Sequence, residues 1–277
     1  MAQGTYKPSV PFGREATFEL PDGVKTYGGF AGTETAVAQR ELKLANTSVL
    51  SGDLGSFDDI DNAYHVVTIA EGTNPSLDGF RIRDCNADEP FTSYGKHGGG
   101  ILSRGTGAKL SHLWILENTA EVAGGGIYDN VGSTTYSHIL LDDNQAQVGG
   151  GMALLAGAPV VNNTTFLSND ATNSGGNAYL AGAGTLVFFT NITGLGGTSG
   201  SGAGIDVENT TQLFLTNASI SGSASSGNNG AVRVNAAGAK ALLRNVILWA
   251  NPGGSAKEAA GTLTVQDSIV EGGCPAG

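Results

Sequence analysis

A glycine-rich corner recurs along this chain at nearly constant spacing, and it leaves few folds open. Gly98-Gly99-Gly100-Ile101 is followed by Gly124-Gly125-Gly126-Ile127 and Gly149-Gly150-Gly151-Met152. Looser versions stand at Gly175-Gly176-Asn177-Ala178, Gly202-Ala203-Gly204-Ile205 and Asn229-Gly230-Ala231-Val232. The period is 25 to 27 residues. Such self-similarity marks a stack of equivalent units. Glycine costs a helix roughly 1 kcal/mol per site relative to alanine. The 44 glycines therefore argue for short strands joined by tight turns. At 40% hydrophobic and 14% charged residues, the chain is also far from the composition of disorder.

Between the corners runs a second landmark. One column reads His112, His138, Asn163, Asn191, Asn217, Asn245 and Asp267. Two residues earlier the column is apolar throughout: Leu77, Leu110, Tyr136, Val161, Phe189, Leu215, Leu243 and Val265. One and three residues after the polar column the pattern is apolar again, as at Leu113 and Ile115 or Val246 and Leu248. Alternation with period two predicts half-buried strands. A small amide breaking that alternation fits a turn, because Asn tolerates the left-handed region. Apolar columns on both sides predict that the turn faces inward. His112, His138, Asn163, Asn191, Asn217 and Asn245 are then expected to bond along the stack as an asparagine ladder.

The predicted fold is all-β: a right-handed parallel β-helix, a solenoid with about eight or more coils of 25–28 residues. At about 4.8 Å per coil, eight coils make a rod of roughly 40 Å. One domain is expected over 1–277, with irregular coils over 1–76 and regular ones over 77–277. Strands are predicted at Phe18 to Leu20, Val24 to Phe30, Val49 to Ser51 and His65 to Ile69. Thr33 to Ala45 has the start signal and the residue types of a helix. It is predicted as a short helical insertion. The opening MAQGTYKPS is polar and reads like mid-domain sequence, and EGGCPAG closes without a finish. The chain is therefore expected to be part of a longer one.

Several segments together resemble a known group. GTYKPS (4–9), DGVKTYGGFAGTET (22–35), NTSVLSGDL (46–54), YHVV (64–67) and LDGFRI (77–82), followed by GGGI corners, look like secreted bacterial right-handed β-helix repeat proteins. These are similar to the polymorphic outer-membrane-protein type of repeat, within the pectin-lyase-like superfamily. The resemblance covers essentially the whole chain. It implies export and life on a bacterial surface or outside the cell, beside neighbouring domains of a longer protein. It supplies no catalytic motif.

The architecture makes a carbohydrate-active enzyme a reading to weigh, although fold alone is weak evidence of function. Two residues after the polar column, the outward positions read Arg81, Trp114, Leu140, Thr165, Thr193, Ser219 and Ile247. Four after it they read Arg83, Leu116, Asp142, Leu167, Leu195, Ser221 and Trp249. Arg81, Arg83, Trp114 and Asp142 should share one face. An aromatic beside Arg and Asp makes a sugar platform, with Trp114 and Tyr94 as ligand contacts. The same face is apolar enough to lie under a covering loop or a neighbouring domain. Tyr94, Lys96 and His97 precede the first glycine corner on a projecting loop. Lys96 or His97 could serve there as a base, or they are solvated loop residues.

Asp53, Asp58, Asp59 and Asp61 crowd one loop, and oxygen-rich loops of this kind hold calcium. Their spacing matches no defined calcium loop. A net charge of −11 makes nucleic acid an unsuitable partner. No apolar run approaches the ~18 residues of a membrane helix. Cys85 and Cys274 stand too many coils apart to pair. A flat threonine array, as ice binding requires, is absent. The expected function is a structural, adhesive or glycan-binding module at a cell surface. The alternative is a polysaccharide lyase or glycoside hydrolase working on the outward face.

Overall fold

The structure, a computed structural model, describes residues 1–8, 10–43, 47–55, 59–202, 204–227 and 230–273. It is nearly all-β, with one 17-stranded and one 9-stranded sheet. Every strand pairing among the described residues is parallel. Strands one repeat apart are neighbours. In the smaller sheet Ile101, Ile127, Met152, Ala178, Ile205, Val232 and Ala256 stand in register, at intervals of 24 to 27 residues.

One repeat shows how the sequence dictates this. Gly124 has φ +66, the left-handed corner that glycine adopts without cost. The chain then enters the smaller sheet as Ile127–Asp129 and crosses to the larger sheet as Thr135–Asp142. It turns at Asp143 (φ 51) and continues as Gln145–Val148. The repeats that begin at Met152, Ala178 and Ile205 likewise place two strands in the larger sheet and one in the smaller.

The apolar column is the spine of the core. Leu110, Tyr136, Val161, Phe189, Leu215 and Leu243 lie in register and are buried. Each such side chain contributes roughly 1.5–3 kcal/mol by leaving water. Phe166 and Phe189 stack at 6.3 Å inside it.

The polar column is left-handed as expected: His112, His138, Asn163, Asn191, Asn217, Asn245 and Asp267 all have φ between 50 and 58. Its direction is not. From His112 to Asn245 these side chains are exposed, and they bond along the outside of the stack. Asn191 donates to Asn163 at 2.9 Å, Asn217 to Asn191 at 3.2 Å and Asn245 to Asn217 at 2.7 Å. His138 meets Asn163 at 3.5 Å and stacks on His112 at 4.8 Å. The left-handed residue shifts the alternation by one, so its apolar neighbours turn inward and it turns outward.

The inward ladder is a different column, six residues further on. Asn118, Asn144 and Asn169 are fully buried. Asn118 Nδ2 donates to Asn144 Oδ1 and Asn144 Nδ2 to Asn169 Oδ1, each at 3.0 Å. One repeat on, the position is Gly197, and Asn177 fills the space from the adjacent corner, accepting from Asn169 at 3.3 Å. Ser223 and Asn251 continue the line, with Asn251 Oδ1 accepting from the Ser223 N–H at 3.1 Å. Each member follows a second left-handed residue, as Asn118 follows Glu117 and Asn169 follows Ser168.

The N-terminal segments join the same sheets. Phe18–Glu19, Lys25–Tyr27, Ser48–Ser51 and Val67–Ile69 realise the four strand expectations. Ser48–Ser51 pairs with Phe80–Ala87, and Lys25–Tyr27 with Ser76–Asp78. The helix expected over 33–45 is not there. Only a 3-10 turn, Val37–Gln39, forms among its described residues, and 44–46 lie outside them. Ala36 (φ −147, ψ 150) and Arg40 (φ −67, ψ 133) are extended on either side of that turn, and Arg40 is drawn away to Asp78 and the Gly28 carbonyl. The Glu34 carboxylate accepts the N–H groups of Ala31, Gly32 and Thr33, and Gln39 Oε1 those of Thr35 and Ala36.

Candidate functional site: a basic cleft on the outer face

The outward columns are in the expected register. Arg81, Trp114, Leu140, Thr165, Thr193, Ser219, Ile247 and Ile269 follow one another along the larger sheet. Beside them run Arg83, Leu116, Asp142, Leu167, Leu195 and Ser221. Trp114 near one end is 38% exposed and Trp249 near the other 53%, so this face meets solvent among the described residues.

At the Trp114 end the face drops into a cleft of about 270 Å³. It is lined by Gly79, Phe80, Arg81 and Trp114, by His112 and His138, and, from the N-terminal excursion, by Gly29, Leu42, Lys43 and Thr47.

The guanidinium of Arg81 lies over the Trp114 ring, 4.1 Å from its centroid. Registered strands force this contact, because residues facing each other across a parallel pair are about 4.8 Å apart. The stack also means that Arg81 covers one face of the ring where a sugar would have lain. Arg81 has no ion pair among the described residues, and its Nε is buried without a hydrogen-bond partner. Burial first, and then the nearby charge of Arg83, lower its pKa.

His112 is fixed by a chain of charge. Its Nδ1 is 3.0 Å from Asp78 Oδ2. Asp78 also accepts from Ser111 and pairs with Arg40, which donates to the Gly28 carbonyl at 3.0 Å. Burial works against the Asp78 carboxylate. Hydrogen bonds from Ser111, His112 and Arg40 outweigh it and hold the pKa below the usual range. On His138, Nδ1 is 2.8 Å from Ser137 Oγ.

The other expected residues are dispersed. Arg83 bonds Asp84 at 2.7 Å and Glu117 at 2.9 Å, and the Asp84 hydrogen bond raises its pKa. Asp142 is two repeats along from Arg83. Its pKa is raised, first by burial and then by Asp143 and Glu117. Lys96 pairs with Glu121 at 2.7 Å. His97 packs on Tyr128 at 4.6 Å, and Tyr94 on Tyr128 at 6.3 Å and under Arg104 at 5.2 Å. None of Tyr94, Lys96 and His97 lines the cleft. Burial lowers the His97 pKa.

In the acidic loop, Asp53 pairs with Lys7 at 3.0 Å and accepts the Gly55 N–H at 2.9 Å. Asp61 ends a 3-10 turn, while Asp58 and the Asp59 side chain lie outside the described residues. Among the described residues no group of three or more His, Cys, Asp or Glu side chains could hold a metal ion. Among the described residues no helix is long and apolar enough to cross a membrane.

Sequence reasoning brought Arg81 and Trp114 together but missed Asp78, Arg40 and the role of His112. The motif Leu77-Asp78-Gly79 did carry a signal, since Gly79 is the first member of the left-handed column (φ 84). Asp78 is therefore the residue just before a turn, one repeat from His112. No protein-family model matches the chain, and no curated protein or solved structure matches it either.

Proposed function

We propose that the chain winds as a right-handed parallel β-helix and acts outside the cell, secreted or on a bacterial surface, as a scaffold for glycans and neighbouring domains. The winding is supported by uninterrupted parallel pairing at one-repeat register and by the corners at Gly98, Gly124, Gly149 and Gly175. One observation carries the functional reading. The outward face from Arg81 to Ile269 is continuous and mixes apolar with hydroxyl side chains. It carries an exposed tryptophan near each end. Such a face suits an extended ligand laid along the stack better than a small substrate held from all sides. The test is a glycan array together with a screen of soluble polysaccharides for new reducing or unsaturated ends, with and without calcium. Binding without turnover is expected. Binding to no glycan would remove the reading.

The second reading, a polysaccharide lyase or glycoside hydrolase, is favoured by the Arg40–Asp78–His112 chain beside Arg81. A carboxylate on one imidazole nitrogen fixes the tautomer and leaves the other nitrogen for proton transfer. Turnover that disappears in Arg83→Ala, Arg81→Ala or His112→Ala would establish the enzyme and displace the scaffold.

A further inference from the structure

We propose that the cleft at Arg81 is an oxyanion site, built for a carboxylate or sulfate group carried by the ligand. The statement that this ligand is a glycan rests on the scaffold reading; the anion chemistry stands without it.

Arg81 is set apart from the other arginines. Arg14, Arg40, Arg83, Arg104 and Arg233 each pair with a carboxylate, and Arg244 donates to Gln266. Among the described residues Arg81 does neither, and it lines the cleft, where a ligand can reach its guanidinium.

The surroundings fit a negative group. The chain carries a net charge of −11, yet every ionisable side chain lining this cleft is basic: Lys43, Arg81, His112 and His138. Lys43 pairs with Glu41, which leaves Arg81 as the uncompensated cation. Trp114 holds the guanidinium carbon 4.1 Å above its ring. The terminal nitrogens of such a planar fork match two oxygens of a carboxylate or sulfate. His112, held by Asp78, and His138, stacked on it, present two further fixed rings in the lining of the cleft. Rotamers already locked mean little entropy to lose on binding.

The experiment uses the full chain carrying Trp249→Phe, so that Trp114 is the only tryptophan. Its fluorescence is titrated with sodium sulfate and with sodium acetate, chloride holding the ionic strength constant. Sulfated, carboxylated and neutral oligosaccharides follow. A saturable change with sulfate or acetate is expected, and the stronger of the two identifies the group. Arg81→Met should abolish it while keeping the native circular dichroism spectrum. Arg81→Lys should weaken it by about tenfold, since a point charge replaces the fork. Arg244→Met should leave it unchanged. No saturable change with either anion, or an equal change in Arg81→Met, overturns the proposal. Neutral sugars binding where anions do not would also overturn it, and would leave the glycan scaffold standing. Anion binding without glycan binding would support the oxyanion site and remove the glycan from the scaffold reading.

Discussion

Asn144 holds Asn118 and Asn169 together inside the stack: it accepts from Asn118 Nδ2 and donates to Asn169 Oδ1, each at 3.0 Å. Its amide also donates to the Ile115 carbonyl at 2.9 Å, and its oxygen receives the Asn118 N–H at 3.2 Å. Removing it strands several buried groups at once. Asn144→Ala is expected to cost about 3 kcal/mol or more. Asn191→Gly, in the exposed ladder, keeps the left-handed turn and should cost under about 1 kcal/mol. Urea denaturation midpoints of the two variants measure the difference. Equal losses would mean that the inner ladder has no special weight.

Gly124 and Gly184 separate two reasons for a glycine. Both are left-handed, with φ +66 and +73. A Cβ on Gly124 would lie 2.2 Å from the Ile127 carbonyl oxygen, whereas one on Gly184 meets nothing within 4 Å. Gly184→Ala should therefore cost only the backbone penalty, about 1 kcal/mol. Gly124→Ala must also move a strand and should cost at least twice as much. Thermal denaturation of both variants, alongside the parent, decides it.

His65 predicts an acid limb. Burial is the main cause that lowers its pKa from 6.5 to about 4, against the raising effect of its hydrogen bond to the Gly98 carbonyl. The folded state thus binds fewer protons than the unfolded one in this window. Stability is full above pH 6.5 and falls as the pH drops toward 4. Allowing for the part of the ring that meets solvent, the loss is about 2 kcal/mol. His65→Gln should flatten this part of the pH–stability curve. An unchanged slope in that variant would assign the acid limb to other groups.

Cys85 occupies the inner ladder column, in register with Asn118, and it is buried with its thiol pushed up by burial. A thiol reagent needs the thiolate and a path to it. In a Cys274→Ser background, Cys85 should stay unlabelled in the native protein and react fully once unfolded. Rapid native labelling would show that this end of the stack opens.

The sequence alone determined the features that are local and periodic. Glycine corners, the left-handed column and the apolar spine of Leu110, Tyr136, Val161 and Phe189 each reflect the backbone preference or water aversion of single residues. Periodicity turns such preferences into a register, so the outward columns from Arg81 onward were legible too. Tertiary structure decided which turn faces the interior. His112 and Asn118 are both polar, and each lies at or just after a left-handed residue. The shift in alternation sends the first outward and the second inward, and only the packed neighbours reveal that. It also decided the fate of 33–43, where the chain is extended at Ala36 and Arg40 and Arg40 reaches across to Asp78. The cleft belongs to the same class of fact. Arg40, Asp78, Arg81, His112 and Trp114 span 75 positions of the chain. They meet because parallel pairing lays residues one repeat apart side by side, while a long excursion from the first repeats folds back across them.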